Sequence, residues 1–321
     1  MRLIKQTMKI LVLGGSGFVG GHLARRLSRD EHELTMGTRY APGCRHLNVV
    51  PRTRVRQFDP HDVDQLARAA AGHDAMINLV GILHERGFSG AGFRRAHVEL
   101  VEKVIEVCRE TGIRRLVHMS ALNAGEGESH YLKTRGEAEQ LVENSGLEWT
   151  MFRPSAIFGP DDSFINRFAL LLKISPVLPL ARPGAKFAPV YVDDVAEAFA
   201  RALSDRHTIG ETYELCGGEI WELKPLVEWI AEQLNLSRLV IGLPDWAGRL
   251  QARTFDFVPG KPFSSDNFKS LLLDSVCGEH GLQRLDIEPA TLSRIAPSWL
   301  KPSGRQERFG EYRRRARREV Q

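Results

Sequence analysis

The chain has 321 residues, 26% charged and 42% hydrophobic, and a formal net charge of +4. That length is enough to bury a substantial core as one large domain or two closely joined ones. It contains no apolar run long enough to cross a bilayer and no secretory segment ahead of a small-residue cleavage site.

The charge is unevenly placed. Residues 301–321 hold eight Lys/Arg against three Asp/Glu, leaving the other 300 residues at −1. A near-neutral body argues against nucleic-acid binding. Cys44, Cys108, Cys216 and Cys277 form no C-x-x-C pair, so neither a disulfide framework nor a zinc site is expected, and a reducing compartment fits. The histidines are dispersed, and no structural metal is expected.

Taken in chain order, Met8–Leu13 is a continuous apolar run, the pattern of a strand buried on both faces. Glycines follow, then a helix over Phe18–Arg29 with Val19, Leu23 and Leu27 at helical spacing. Strands are expected at Glu33–Gly37 and Arg54–Phe58, a helix with an acidic first turn at Asp62–Ala71, and a fourth strand at Ala75–Val80. A long helix over Phe93–Thr111 ends at Gly112. A fifth strand at Arg115–Met119, a helix near Tyr131–Ser145 and a sixth strand at Trp149–Phe152 complete the regular part. Six strand–helix alternations with short connections predict an α/β fold with a doubly wound parallel sheet.

Beyond Arg153-Pro154 the alternation fails. Phe164–Leu180 is apolar but interrupted by Arg167, Lys173 and two prolines. Tyr191–Leu203 reads as a helix and Thr212–Cys216 as one more strand. Shorter helices are expected at Leu223–Leu234, Pro244–Arg253 and Asp266–Leu273. The expected division is a Rossmann nucleotide-binding domain over 8–160 with return segments near 187–216. A smaller, mainly helical lobe from 161–186 and 217–300 lies over the carboxyl ends of the sheet, and 301–321 is a basic tail.

Gly14-Gly15-Ser16-Gly17-Phe18-Val19-Gly20 lies between the first strand and the first helix. Glycines there permit a tight turn and let the backbone approach a pyrophosphate at the positive end of the helix, so a dinucleotide is expected. The second strand ends in Gly37-Thr38-Arg39-Tyr40, without the carboxylate that would bond the 2′-hydroxyl of NAD. Arg39 offers a fork for a 2′-phosphate and Thr38 a hydroxyl, which favours NADP(H).

With Asp59, Asn78-Leu79-Val80-Gly81, Ser120, Tyr131 and Arg153-Pro154 added to this loop, the chain resembles the extended, atypical branch of the short-chain dehydrogenase/reductase superfamily. YLKTRGEAE at 131–139, FRPSAIFGP at 152–160 and PVYVDDVAEA at 189–198 are similar to one subgroup. That subgroup contains the nucleotide-binding accessory subunit of respiratory complex I, related bacterial proteins and a coenzyme Q biosynthesis protein. The resemblance implies that Asp59 meets the adenine, that Val80 and Gly81 pack beside the ribose, and that Pro154 to Ile157 line the nicotinamide.

The resemblance also implies a catalytic Tyr131 assisted by Ser120, with a lysine one helical turn after the tyrosine. Here that later position is Arg135, and Lys133 lies on another face. Arginine supplies the positive charge that favours a phenolate, but its planar fork is not equivalent to an ammonium holding a ribose. In the extended members that the chain resembles, the helpful hydroxyl lies about two residues beyond the strand end, where this chain has Leu122, which implies a Ser120 that touches cofactor rather than substrate.

Three functions follow. One is an NADP(H)-binding accessory or weakly active protein linked to quinone metabolism or a respiratory membrane complex. A working reductase or epimerase with Tyr131 as acid/base is another, and an NADP(H) redox sensor the third. Most apolar stretches such as Phe164–Leu180 are core, although this one has the composition to line a pocket for a small apolar, quinone-like ligand. The tail suits an anionic membrane surface, giving a cytoplasmic protein peripheral on the inner face of the membrane.

Overall fold

The computed structural model describes residues 7–85, 87–258 and 263–301. The expected basic tail, apart from Lys301, therefore lies outside the described residues.

Seven parallel strands form the central sheet. They are β1 (Lys9–Leu13), β2 (Glu33–Thr38), β3 (Thr53–Gln57), β4 (Ala75–Asn78), β5 (Arg115–Met119), β6 (Glu148–Pro154) and, after β7 (Val177–Ala181) in the lobe, β8 (Glu211–Leu215). Their order is β8-β6-β5-β4-β1-β2-β3, reversing direction of growth at β1. Leu13 pairs with Gly37 on one side and Asn78 on the other, so the chain leaves β1 where two crossovers diverge. Ligands bind at this point of an open α/β sheet.

Strand β1 shows why the sheet needs helices on both faces. Ile10 and Val12 enter a core with Leu23 and Leu27 of α1 (Phe18–Ser28) and Val195 and Phe199 of α6 (Val192–Ser204). Leu11 and Leu13 enter the opposite core, beneath α2 (Val63–Ala70), α3 (Leu100–Thr111) and α4 (His130–Glu143). An uninterrupted apolar run is what two buried faces require. On the first face, Arg26 of α1 bonds Glu197 of α6, and His22 lies 2.6 Å from Asp193.

The lobe has its own core, shared by α5 (Ile165–Ile174), α7 (Leu223–Gln233) and β9 (Leu239–Leu243), which pairs in parallel with β7. It is helical except for short ribbons, β7 with β9 and Lys186–Phe187 with Trp221–Glu222. Residues 164–180 divide between α5 and β7. Asp162 makes the division possible by accepting from the amides of Phe164 (2.7 Å) and Ile165 (2.6 Å) and starting the helix.

Two expectations are corrected. Phe93–Thr111 is not one regular helix: Ala91–Arg94 passes into a π-helical turn, Arg95–Glu99, before α3. That turn carries His97 inward. Its Nε2 accepts from the Ile82 amide at 3.3 Å and its Nδ1 lies 2.9 Å from the Thr134 hydroxyl, so a polar anchor displaces the regular i→i−4 ladder.

The cysteines are also not all free. Cys216, just past β8, is disulfide-bonded to Cys277 across a sequence separation of 61 residues. The pairing is tertiary, because it brings the loop before α-helical Gly281–Arg284 against the end of β8, and spacing in the chain could not announce it. Cys44 and Cys108 are free and buried, and burial pushes the Cys108 thiol up to about 12.

Candidate functional site

A cavity of ≈ 910 Å³ runs from the carboxyl ends of β1, β2, β4, β5 and β6 to the apolar wall of the lobe. Its first half is made largely by backbone. The turn after β1 closes with the Gly17 amide donating to the Gly14 carbonyl at 3.0 Å. Helix α1 then begins at Gly17 with no side-chain cap and no acid in its first turn. Open amides and an uncompensated dipole at that end suit an anion. A Cβ on Gly20 would stand 2.3 Å from the Gly15 carbonyl oxygen, so only glycine lets α1 approach this closely. Gly14, Ser16, Gly17, Phe18, Val19 and Gly20 line the cavity, and Gly15 is packed beneath them against Met36.

Thr38 and Arg39 enter the same wall. The Thr38 hydroxyl donates to Ser16 Oγ at 3.1 Å, tying the end of β2 to the glycine turn. Arg39 is exposed, and its guanidinium engages no carboxylate among the described residues. Asp59 is not in the wall. Its carboxylate accepts from the His61 amide at 3.0 Å, while its neighbours Phe58, Pro60 and His61 line the cavity. The cap of α2 is Asp62, which accepts from the Gln65 amide at 3.0 Å.

The end of β4 is held by Asn78, whose Oδ1 accepts from the Val80 amide at 3.1 Å and whose Nδ2 lies 3.3 Å from His118 Nδ1. Val80, Gly81, Ser120, Tyr131, Pro154 and Ile157 all reach the cavity. Ser120 Oγ is buried without a hydrogen-bond partner among the described residues. A buried hydroxyl left in this state is available to a water or to a ligand that enters the cavity.

Arg135 is only 3% exposed. Its Nη1 donates to the Met119 carbonyl at 2.9 Å and more weakly to Val80 at 3.5 Å, while Nε has no partner. A Cβ on residue 81 would fall 1.9 Å from Nη2, so this guanidinium fits because Gly81 has no side chain. The cation sits 5.6 Å from the Tyr131 ring centroid. Tyr131 is packed edge-on against His97, at 5.5 Å, and Phe93, at 6.1 Å. Lys133 is exposed on the other side of α4.

Two buried histidines surround this cation. Burial first, and the Arg135 charge second, push His97 down to about 2 and His118 to about 3. Both are therefore neutral at ordinary pH. With Ile82 donating to Nε2, His97 carries its proton on Nδ1 and donates to Thr134, which donates onward to the His130 carbonyl at 2.8 Å. His97 is a site-organising residue that the periodic reading of a single long helix concealed. Its only sequence signal was a polar residue on the apolar side of that stretch.

The second half of the cavity is apolar. Phe164, which precedes α5, and Phe168 and Leu171 within it face the cavity, whereas Ile165, Ala169 and Leu172 on the adjacent row fill the lobe core. Leu178, Leu180, Phe187, Leu223, Phe255 and Leu273 add to the wall. Sequence reasoning defaulted this segment to core, whereas Phe164, Phe168 and Leu171 line a cavity while packing against that core. Among the described residues no group of three or more His, Cys, Asp or Glu is arranged to hold a metal ion, and no helix is long and apolar enough to cross a membrane.

Comparisons with known proteins identify the family and, separately, the fold. Residues 14–206, more than half of the chain, match the NAD(P)H-binding family model. The chain is 31% identical over 315 residues to the mitochondrial NADH dehydrogenase (ubiquinone) 1 alpha subcomplex subunit 9 of Arabidopsis thaliana, covering 90% of this chain and 76% of that one. It is 25% identical over 297 residues to the mitochondrial NADH-ubiquinone oxidoreductase 40 kDa subunit of Neurospora crassa, covering 90% and 78%. Among solved structures, dTDP-glucose 4,6-dehydratase from Streptomyces venezuelae with NAD bound superimposes with a TM-score of 0.73 at 20% identity, over 91% of this chain and 96% of that one; it shares the fold. The uncapped α1, the glycine clearance and the unpartnered Ser120 hydroxyl fit a nicotinamide dinucleotide. The chain belongs to the NAD(P)H-binding, short-chain dehydrogenase/reductase-like family that includes these respiratory-complex subunits.

Proposed function

We propose that this protein binds NADP(H) as an accessory component of a respiratory membrane complex or of quinone metabolism, with slow or no turnover. The observation that carries this reading is the commitment of Arg135 to two backbone carbonyls beneath Gly81. A lysine at that position could extend one mobile ammonium to a ribose and to the phenol. A guanidinium already bonded to Met119 and Val80 and buried against Gly81 is anchored for holding strand ends together.

In this reading the α1 amides and the turn 14–20 hold the pyrophosphate. Arg39 grips the 2′-phosphate with help from Thr38, and the turn of Phe58, Pro60 and His61 that Asp59 braces borders the adenine. Val80 and Gly81 pack beside the ribose, Ser120 gives its free hydroxyl to the cofactor, and Pro154 and Ile157 border the nicotinamide. A bound reduced nicotinamide supplies hydride chemistry. Segments 161–186 and 217–300 act as the ligand or partner lobe, whose apolar wall suits a small quinone-like molecule. The relatives named above are subunits of a membrane complex, which supports association with such a complex, and the tail 301–321 adds attraction to an anionic membrane face. A second reading, a working reductase or epimerase, is favoured by Tyr131 lining the cavity with a cation 5.6 Å from its ring, which would stabilise a phenolate during proton transfer.

Titrating the purified protein with NADPH and NADH, and repeating both with Arg39→Ala, tests the cofactor. Loss of a charge-assisted grip on the 2′-phosphate should weaken NADPH roughly 10- to 100-fold and leave NADH unchanged. Equal affinities throughout would defeat the assignment. Quinone and carbonyl substrates are then supplied with NADPH to wild type and Tyr131→Phe. Turnover that the substitution abolishes would replace the accessory reading with the second one.

A further inference from the structure

Helix α8 (Asp245–Phe255) is built inside out for a helix on a water-exposed surface. Its inward face is small: Gly248 and Ala252 lie against Ala181 at the end of β7 and Phe268, where a Cβ on Gly248 would stand 3.0 Å from Ala181 Cβ. Its outward face is large and apolar. Trp246 and Leu250, one turn apart, are 72% and 58% exposed, and Phe257 just past the helix end is 80% exposed. Isolated exposed apolar residues are ordinary, but two exposed one turn apart on a helix, with a third just beyond its end packed 5.6 Å from the Phe88 ring, are not.

The charges between them have one sign. Arg253 is exposed among them, and Arg249, also exposed, sits at the edge of the helix with its guanidinium 5.8 Å from the Phe268 ring centroid. The two acids of this segment are already engaged. Asp245 is paired with Arg182 at 3.2 Å, and Asp256 accepts from the Ser265 amide at 3.1 Å. Apolar side chains with interleaved cations, one of them aromatic with an indole N–H, match the boundary between headgroups and acyl chains of an anionic bilayer. The other edge of α8 leads inward, because Gln251 and Phe255 line the cavity.

We propose that α8 docks on an anionic phospholipid surface and forms the membrane-side lip of the cavity, so that an apolar ligand passes between bilayer and cavity along this helix. Residues 245–257 precede the basic tail in the sequence, and the proposal does not depend on which nicotinamide the protein holds.

The full chain is sedimented with phosphatidylcholine vesicles with and without phosphatidylglycerol. Wild type should partition onto the phosphatidylglycerol vesicles in preference. Trp246→Glu with Leu250→Glu should lower that partitioning roughly tenfold or more, since two buried apolar anchors become charged. Arg249→Glu with Arg253→Glu should erase the preference for phosphatidylglycerol. Thermal unfolding reports whether each variant is folded; if the first pair fails, Phe257→Glu repeats the measurement at a position outside the helix. The proposal is overturned if wild type does not sediment, if folded glutamate variants bind like wild type, or if a chain ending at residue 301 loses all binding while α8 is intact.

Discussion

The two halves of the cavity are made of different materials. Toward the sheet, its wall consists of turn 14–20, uncapped α1 and the ends of β4, β5 and β6, so backbone amides and carbonyls do most of the positioning. Toward the lobe, it is lined by residues of α5, β7, α7 and α8, gathered from segments separated by up to some hundred residues. The first half presents fixed dipoles, which suit a charged ligand of set shape. The second presents adaptable apolar surface, which suits a ligand selected by size and hydrophobicity. One molecule can thus be strict about its nucleotide and permissive about what lies beside it.

The largest expected effect tests the buried polar cluster of the sheet half. His97 and His118 stay neutral in the folded chain, whereas an unfolded histidine protonates near 6.5. Their contribution is therefore complete above that pH and is lost as pH falls toward the folded values. Each histidine should remove about 1.4 kcal/mol per pH unit, or roughly 4 kcal/mol for the pair near pH 5. Thermal unfolding of wild type and His118→Gln across this range measures it; the substitution should halve the slope. A wild-type melting temperature that does not move would show that these imidazoles are not buried neutral.

Next in size is the staple on the lobe half. Cys216→Ser with Cys277→Ser should cost about 2–4 kcal/mol, because the disulfide closes a long loop. The Ser275 backbone carbonyl, two residues from Cys277, accepts from the Ser155 hydroxyl at 2.7 Å, and Ser275 lines the cavity. Apolar-ligand affinity should therefore fall with stability while the glycine-loop half is spared. A variant as stable as wild type would mean that the bridge does not form.

The smallest effect couples the halves at Arg135. Gly81→Ala places a methyl where the guanidinium sits and should cost about 1–3 kcal/mol through overpacking. It should also displace Arg135 from Met119 and loosen the Tyr131 setting. Adding Arg135→Lys to Gly81→Ala should restore stability. If Gly81→Ala alone is neutral, the close fit of residues 81 and 135 is not what holds the cation.

What was legible followed from local chemistry. The run Met8–Leu13 could only be a strand buried twice, and the glycines after it marked a turn that opens a helix. All seven sheet strands lie within a few residues of where the pattern puts them. The same local reading went wrong wherever a distant partner decided the outcome. The π-helical turn at Arg95–Glu99 exists because His97 finds Ile82 and Thr134, and Cys216 bonds Cys277 because the lobe folds back on β8. The row Phe164, Phe168, Leu171 has the same composition as the core row beside it, so only the position of α5 against the sheet distinguishes wall from core.

By itself, then, the amino-acid order determined the alternating α/β architecture, the glycine turn that opens the first helix and the family, because periodicity, glycine turns and helix polarity act over a few neighbouring residues. Tertiary structure alone decided that Arg135 is spent on strand ends beneath Gly81, that two histidines stay neutral around it, and that an apolar cavity lies behind α8. Those outcomes depend on which distant surfaces exclude water together, and contacts across that distance leave no local mark in the chain.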